Sequence, residues 1–154
     1  MQSQWESASN VAHAECIVRS YAAVTGRELI PLGSRGDDLA RRLFHAPFVV
    51  VSHGIEEDPV LNYGNAAALQ LWEMPWSVFV ETPSRFTAEP PNRGERERLL
   101  AQVRSRGFID DYSGIRISKS GRRFRIHRAT VWNLMDLSGR RCGQAATFVE
   151  WTTV

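Results

Sequence analysis

The sequence predicts an α+β domain in which a five-stranded antiparallel sheet carries short helices on one face, preceded by an N-terminal flanking helix. Three observations predict it. Two short apolar runs of strand type lie near the middle of the chain. A proline-interrupted stretch and one long helical pattern follow them. After Gly107 the hydrophobic period changes from helix to strand, and tight turns join the last three strands into a meander.

The composition fits one globular domain. The chain has 154 residues, of which 43% are hydrophobic and 23% charged, and a chain of this length buries about 70% of its extended surface. We divide it into residues 1–36, a flanking helix with its loop, and residues 37–154, the sheet domain. Since we find neither an apolar run of about 20 residues nor a signal-peptide pattern, we expect no membrane contact and a cytoplasmic location.

The N-terminal segment predicts a helix from Ser9 to Val24, with one apolar stripe and a stop at Gly26. The stripe must pack either on the outer face of the domain's own sheet or on the same helix of a second copy. We therefore expect a homodimer. A second short helix, from Leu39 to His45, is predicted with Asp37 or Asp38 as its cap.

The first two strands are predicted at Phe48–Ser52 and Val60–Tyr63, joined by an acidic turn that we interpret as solvated rather than metal-binding. Asn65 then occupies the N-cap position of an alanine-rich helix, which Pro75 should end. Residues 76–91 are irregular because of their prolines, and we expect Phe79, Val80 and Phe86 to attach them to the core.

The clearest helix runs from Asn92 to Arg106. Asn92 and Glu95 form a capping pair, and Arg93 and Glu97 are spaced for an ion pair. The predicted buried stripe consists of Leu99, Leu100 and Val103.

The meander is predicted as three strands at 108–118, 122–135 and 140–151. Strict alternation along the second strand places one set of side chains on a common face: Phe124, Ile126, Arg128, Thr130 and Trp132. On the last strand, alternation groups Gln144 with Ala146, Phe148 and Glu150.

Catalytic and metal-binding patterns are not found in the sequence. The four histidines are scattered, and Ser52 and His53 are strand neighbours that point to opposite faces. Cys16 and Cys142 are far apart in the chain, so we interpret them as reduced core residues. The arginines around Arg125 alternate with apolar residues, as in a half-exposed strand, and we expect no binding to nucleic acid.

Five tracts carry a resemblance to a known family: Leu61–Trp72, Asp111–Gly114, Gly121–Phe124, Arg128–Trp132 and Phe148–Trp151. The order of elements resembles the PAS fold, and these tracts are similar to the MEKHLA domain, a PAS-like family. The family occurs as small bacterial proteins and at the C-terminus of plant class III homeodomain-leucine zipper transcription factors. The resemblance runs from about Leu43 to Val154 and implies a stand-alone domain of the bacterial type. The motif that names the family is absent.

The resemblance also bears on cofactors. PAS domains that bind flavin covalently carry a cysteine in the helical segment after the first hairpin, whereas this chain has Cys16 before the core and Cys142 on the last strand. Haem-binding PAS domains offer a histidine from the long helix, which has none here. Neither covalent flavin nor haem is supported, and the cofactor is unknown.

Arg128 is the polar residue around which we predict a site. A buried guanidinium needs an anion, which is either a protein carboxylate (Asp110, Asp111 or Glu150) or a carboxylate or phosphate ligand. We predict an apolar cavity between the meander and the short helices, with Arg128 at its polar end. Its predicted wall is made of Trp72, Phe86, Phe124, Trp132 and Gln144.

Three functions are compatible with the sequence. The first is a small-molecule-binding PAS-like sensor or regulatory domain without catalytic turnover. The second is a protein-interaction or dimerisation module with a filled core. The third is an enzyme of a cone-shaped α+β fold, which needs a buried Asp or His as base, and the sequence offers no convincing candidate. A cavity of about 300 Å³ or more would favour the first function over the second.

Overall fold

A computed structural model describes residues 4–31, 33–90 and 93–154. Five helices are present among them: α1 Ala8–Thr25, α2 Gly36–Phe44, α3 Ala66–Trp72, α4 Trp76–Phe79 and α5 Arg93–Arg106. Single 3-10 turns lie at Gln4–Glu6 and Ser84–Thr87. The strands are β1 Val49–His53, β2 Leu61–Gly64, β3 Phe108–Ile117, β4 Arg123–Met135, β5 Arg141–Phe148 and β6 Glu150–Thr153.

The strands form one antiparallel sheet in the order β2-β1-β5-β4-β3, and β6 pairs with β4 beyond the end of β5. The α+β prediction is confirmed, although the described residues give six strands rather than five. The difference arises at Val149, where the predicted last strand breaks into β5 and β6.

Helices cover both faces of the sheet. We call the face under α3, α4 and α5 the inner face and the face under α1 and α2 the outer face. The inner core consists mainly of Val49, Leu61, Trp72, Phe79, Val103, Ile109, Phe124, Ile126, Val131 and Phe148. The outer core consists mainly of Ile17, Tyr21, Leu39, Leu43, Val50, Tyr63, Phe108, Trp132, Leu134 and Ala145.

The flanking helix α1 packs on the outer face of its own sheet, so the first of its two predicted packing partners is the one observed. Ser7 caps it by accepting a hydrogen bond from the Asn10 amide, and Gly26 ends it in the left-handed conformation with φ 71°. Polar groups hold the helix at its middle. His13 Nε2 lies 2.9 Å from Ser52 Oγ, and the Met135 amide donates to Ser20 Oγ.

Asn65 is confirmed as the cap of α3, since its Oδ1 accepts from the Ala68 amide at 3.2 Å. Its side chain is fully buried and does more. Oδ1 also accepts from the Val50 amide, and Nδ2 donates to the carbonyls of Leu43 and Phe48. Asn65 therefore joins the end of α2, the first strand and the start of α3.

The boundaries of two helices differ from the predictions. α3 ends at Trp72 because Glu73 adopts the left-handed conformation with φ 59°, while Pro75 instead caps α4. α2 starts at Gly36 after Arg35, which makes no side-chain cap bond, and Asp38 pairs with arginines of its own helix. Asn92, which was predicted to form a capping pair with Glu95, lies outside the described residues.

The stripe on α5 is partly wrong. Val103 is buried and Leu99 packs against the inner core, but Leu100 is 46% exposed. The ion pair between Arg93 and Glu97 is confirmed at 3.5 Å.

β4 is interrupted at Arg128, whose φ is 50°. Thr130 pairs with Thr147 and His127 pairs with Glu150, so two residues on each strand lie between these pairs. Side chains alternate regularly on both sides of this point, but the phase changes across it. Ile126 and Ala129 both lie on the inner face, and Arg128 is an extra residue between them, opposite the extra residue Val149.

Among the described residues, no helix is long and apolar enough to cross a membrane.

Candidate functional site

A small cavity lies on the inner face between the sheet and α5. Its volume is about 100 Å³. The lining comes from β1, β2, β3, β4, β5 and α5: Val51, Ser52, His53, Leu61, Leu99, Tyr112, Arg116, Val131, Gln144, Ala145 and Ala146. Most of this wall is apolar, and the side chains of His53, Tyr112, Arg116 and Gln144 supply its main polar groups.

Arg116 is the charged residue of this cavity. It is directly opposite Phe124 in the β3–β4 register, which places it on the inner face, and it is half-buried. Its guanidinium carbon lies 5.6 Å from the centre of the Tyr112 ring. Among the described residues, no carboxylate lies within 4.0 Å of this guanidinium.

Gly114 makes room for this polar pair. A Cβ atom at Gly114 would lie 3.0 Å from the Tyr112 hydroxyl and 3.2 Å from Arg116 Nη1. The hydroxyl and the guanidinium therefore converge over one glycine, where a side chain would crowd both of them. This arrangement places a phenolic hydroxyl, which can donate and accept hydrogen bonds, beside a cation.

Gln144 lies across the sheet from Arg116, directly opposite His53 in the β1–β5 register. The Nδ1 atom of His53 lies 2.8 Å from the Gly54 carbonyl oxygen. Because a carbonyl only accepts, Nδ1 carries the proton, and in the neutral ring Nε2 is left as an acceptor. Gln144 lines this cavity, and its predicted role in ligand binding stays a prediction.

Next to the cavity the inner core is solid. Trp72 is buried, and its ring packs edge-on against Phe79, Phe124 and Phe148 at centroid distances of 6.1, 5.4 and 6.2 Å. Its Nε1 donates to the Thr87 carbonyl at 3.2 Å. Trp72 and Phe124, both predicted as cavity wall, therefore fill the space that the prediction left open.

The structure contradicts the predicted position of Arg128. The side chain is exposed, and it borders a groove of about 330 Å³ on the outer face, together with Tyr21, Thr130 and Thr147. The extra residue in β4 breaks the alternation on which the prediction relied. Two of the carboxylates proposed as its partners bind elsewhere, because Asp110 pairs with Arg27 and Asp111 with Arg98. The third, Glu150, borders the same outer groove as Arg128.

Two more predicted wall residues lie away from the inner face. Trp132 is buried on the outer face, where its ring lies 4.9 Å from that of Tyr21 in α1. Phe86 is 57% exposed, with the Arg85 guanidinium 4.2 Å above its ring. The extra residue at Arg128 shifts the alternation of β4 by one residue. Val131 therefore points to the inner face, and its neighbour Trp132 points to the outer face.

Sequence reasoning missed Arg116. The pattern of β3 draws attention to Ile115 and Ile117, and two irregularities near Tyr112 make its faces hard to assign. The pairing of β3 with β4 could have revealed the position of Arg116. In the hairpin that Gly121 predicts, Arg116 lies opposite the core residue Phe124.

Metal-binding groups of three or more His, Cys, Asp or Glu residues are not found within the described part of the chain. The acidic turn makes local contacts: Glu56 accepts from the Val60 amide, and Asp58 pairs with Arg85.

Comparison with known proteins assigns the family. The family model described as MEKHLA domain matches residues 11–153. The chain belongs to the MEKHLA domain family. The match begins inside α1, earlier than the resemblance seen in the sequence, and the predicted division at residue 36 stays a prediction.

A curated relative is the homeobox-leucine zipper protein ATHB-9 of Arabidopsis thaliana. It is 26% identical over 143 residues, which are 90% of this chain but 17% of ATHB-9. The chain therefore spans about a sixth of that protein's length.

Solved structures show the PAS/LOV fold. A fungal LOV domain photoreceptor matches 96% of this MEKHLA chain and 95% of its own chain, with a TM-score of 0.59 and 17% identity. The PAS domain of a protein from Colwellia psychrerythraea matches 75% of this chain and 92% of its own, with a TM-score of 0.59 and 12% identity. At such identities the likeness shows the fold alone.

Proposed function

We propose that this MEKHLA domain is a PAS-like sensor that binds a small organic anion in the inner-face cavity, without catalytic turnover. The observation that carries the proposal is Arg116, a half-buried cation at the cavity with no carboxylate partner among the described residues. A desolvated guanidinium is stabilised by an anion that accepts two of its N–H groups. A carboxylate has this geometry.

The size of the cavity sets the size of the ligand. Drug-sized ligands occupy about 300 to 1,000 Å³. This cavity measures about 100 Å³, below the size of about 300 Å³ that would favour a sensor of drug-sized ligands over a filled-core module, so the proposal is restricted to a smaller ligand. A short-chain carboxylate fits such a volume, with its oxygens at Arg116 and its methyl groups against Leu61 and Val131. A flavin ring system requires Trp72 and its aromatic neighbours to move.

Binding without turnover is the expected mode of action. Among the residues that the structure describes, the cavity lining includes no Asp or Glu, so none of them supplies the acidic base that an isomerase-type mechanism needs. The Nδ1–H group of His53 donates a hydrogen bond to the Gly54 carbonyl. This bond fixes the orientation of the ring for hydrogen bonding.

The test is a titration of the isotope-labelled protein with propionate, followed by amide chemical shifts. We expect saturable shifts at Gln144 and His53. Arg116→Met should raise Kd by about tenfold or more, since hydrogen bonds to charged groups contribute about 1.5–3 kcal/mol. Arg125→Met is the matched control, because Arg125 is an exposed arginine on the neighbouring strand, opposite Ile115.

Equal weakening by the two variants would attribute binding to the general positive charge. Saturable shifts in wild type that Arg116→Met leaves unchanged would remove Arg116 from the site. If wild type shows no shifts, the hypothesis of a small-carboxylate sensor is rejected. The interaction module would then be the remaining candidate function.

That second candidate, an interaction or dimerisation module, is favoured by the solid aromatic core and by an exposed apolar strip at the end of the sheet. Val149 is 70% and Trp151 43% exposed. β6 pairs with β4 alone among the described strands, so its other edge is free for a second copy. The homodimer is therefore proposed through this strip rather than through α1, and sedimentation of Trp151→Ser beside wild type tests it.

A further inference from the structure

The two cysteines, distant in sequence, meet at the outer face. Cys16 lies on the buried side of α1, and Cys142 lies on β5. Their Sγ atoms are 4.0 Å apart, and both are free thiols. The flanking helix and the sheet are therefore in contact at this pair of cysteines.

The two sulfurs lie a short movement away from bonding distance. A disulfide has an S–S length of about 2.05 Å, so the sulfurs must approach by about 2 Å from their 4.0 Å separation. Rotation about χ1 of the partly exposed Cys142 moves its sulfur without moving the backbone. Cys16 Sγ lies 3.4 Å from the Met135 carbonyl oxygen, a weak hydrogen bond that is readily given up.

A reagent can reach the pair. A surface groove opens over both cysteines, and its other walls include Arg19, Asp136 and Leu137. Burial, and then the neighbouring Cys16, raise the pKa of the Cys142 thiol to about 11. Its thiolate is thus scarce at neutral pH, so the pair reacts slowly there and faster as the pH rises.

Docking of α1 is the step that such a bond would control. The interface contains buried polar groups as well as apolar contacts, and two of its donors, Tyr63 Oη and Trp132 Nε1, have no hydrogen-bond partner among the described residues. Unsatisfied buried donors weaken an interface. A covalent link from the middle of α1 to β5 holds the helix against the sheet whatever the balance of these contacts.

We propose that Cys16 and Cys142 form a reversible disulfide that fixes α1 on the outer face of the sheet. The oxidant is a low-molecular-weight disulfide such as oxidised glutathione. One cysteine thiolate attacks it, forms a mixed disulfide and expels one glutathione thiolate. The other cysteine thiolate then attacks the protein sulfur and expels the second. Two thiol protons are released to the two departing glutathiones, so two protein thiols are oxidised as one glutathione disulfide is reduced.

This input acts at a place other than the ligand site, since the cysteines lie on the outer face and the cavity lies on the inner face. The domain then responds to the thiol redox state through α1, whether or not an anion occupies the inner cavity.

The experiment uses the full chain with oxidised glutathione at pH 8.5, followed by intact mass and peptide mapping without reduction. We expect a loss of about 2 Da and a peptide pair joined through Cys16 and Cys142. Because the link closes a loop of more than a hundred residues, Tm should rise by about 10 °C. Hydrogen exchange in α1 should slow, and dithiothreitol should reverse all of these changes.

Cys142→Ser is the matched variant, and its partly exposed position lets it fold. It should acquire a single glutathione and show neither the rise in Tm nor slower exchange in α1. The proposal is overturned if wild type retains glutathione on both cysteines, if it links two chains instead of one, or if an intact internal link leaves exchange in α1 unchanged.

Discussion

Replacement of Asn65 by alanine should destabilise the domain far more than the loss of a helix cap. Its side chain makes four hydrogen bonds at 2.8–3.2 Å, two accepted from the amides of Val50 and Ala68 and two donated to the carbonyls of Leu43 and Phe48. Asn65 is 0% exposed, so water has no direct access to the groups that alanine leaves unpaired. At a net value of about 1 kcal/mol for each bond, the expected loss is about 4 kcal/mol.

The assay is urea unfolding followed by circular dichroism. A loss of about 4 kcal/mol also lowers Tm by about 8–16 °C in a domain of this size. Ser7→Ala is the matched control, because Ser7 caps α1 through one bond to the Asn10 amide and should cost about 1 kcal/mol. Asn65→Asp keeps the acceptor but turns a charge towards two carbonyls, so it should not restore stability.

The reasoning would be refuted by equal losses of about 1 kcal/mol in Asn65→Ala and Ser7→Ala. That result would mean that the three bonds of Asn65 to the rest of the fold contribute nothing beyond the cap.

The remaining predictions concern Arg128 and His13. Arg128→Gly should stabilise the domain by about 1 kcal/mol in urea unfolding, since φ 50° strains a residue with a Cβ, and a loss of stability would show that its side chain has a partner. Arg128→Met should change stability by less than about 0.5 kcal/mol because the side chain is exposed. A loss of about 3 kcal/mol would instead indicate that Arg128 takes part in a buried ion pair. Burial lowers the pKa of His13 from its ordinary value of 6.5, and hydrogen bonding to Asn62 opposes this only in part. The unfolded chain therefore binds more protons at this ring, so stability should fall as the pH drops below about 6.5 towards the lowered pKa. A Tm series from pH 7.5 to 5 checks this, and the same slope in His13→Gln would assign the effect to other groups.

Much of the fold follows from local sequence. The long helices, the meander and the cap at Asn65 were predictable because each depends on residues a few positions apart. The same pattern gave α1 its apolar stripe but left its partner open, since a stripe does not say whether it packs on a sheet or on a second copy. The structure shows it on its own sheet, with Ile17 and Tyr21 in the outer core.

The candidate site was less predictable because it depends on contacts between distant segments. Arg116 and Gln144 are brought to one cavity by the order of the strands. Cys16 and Cys142 appear unrelated in the chain for the same reason. The position of Arg128 was predicted wrongly for a different reason. The prediction assumed that side chains alternate between the faces along the whole strand, but β4 contains one extra residue that interrupts the alternation.

Arg128, the extra residue of β4, lies opposite a second extra residue, Val149, on the paired strand. With Arg128 and Val149 both removed, side-chain alternation runs without interruption along both strands, and each remaining residue keeps its present face. The two positions therefore act as a matched insertion. Relatives should carry both residues or lack both, because the loss of one alone would slide half of the hairpin by a residue and turn its apolar side chains into solvent. Sequence alignments of this family should therefore place their gaps here in pairs, one on each strand.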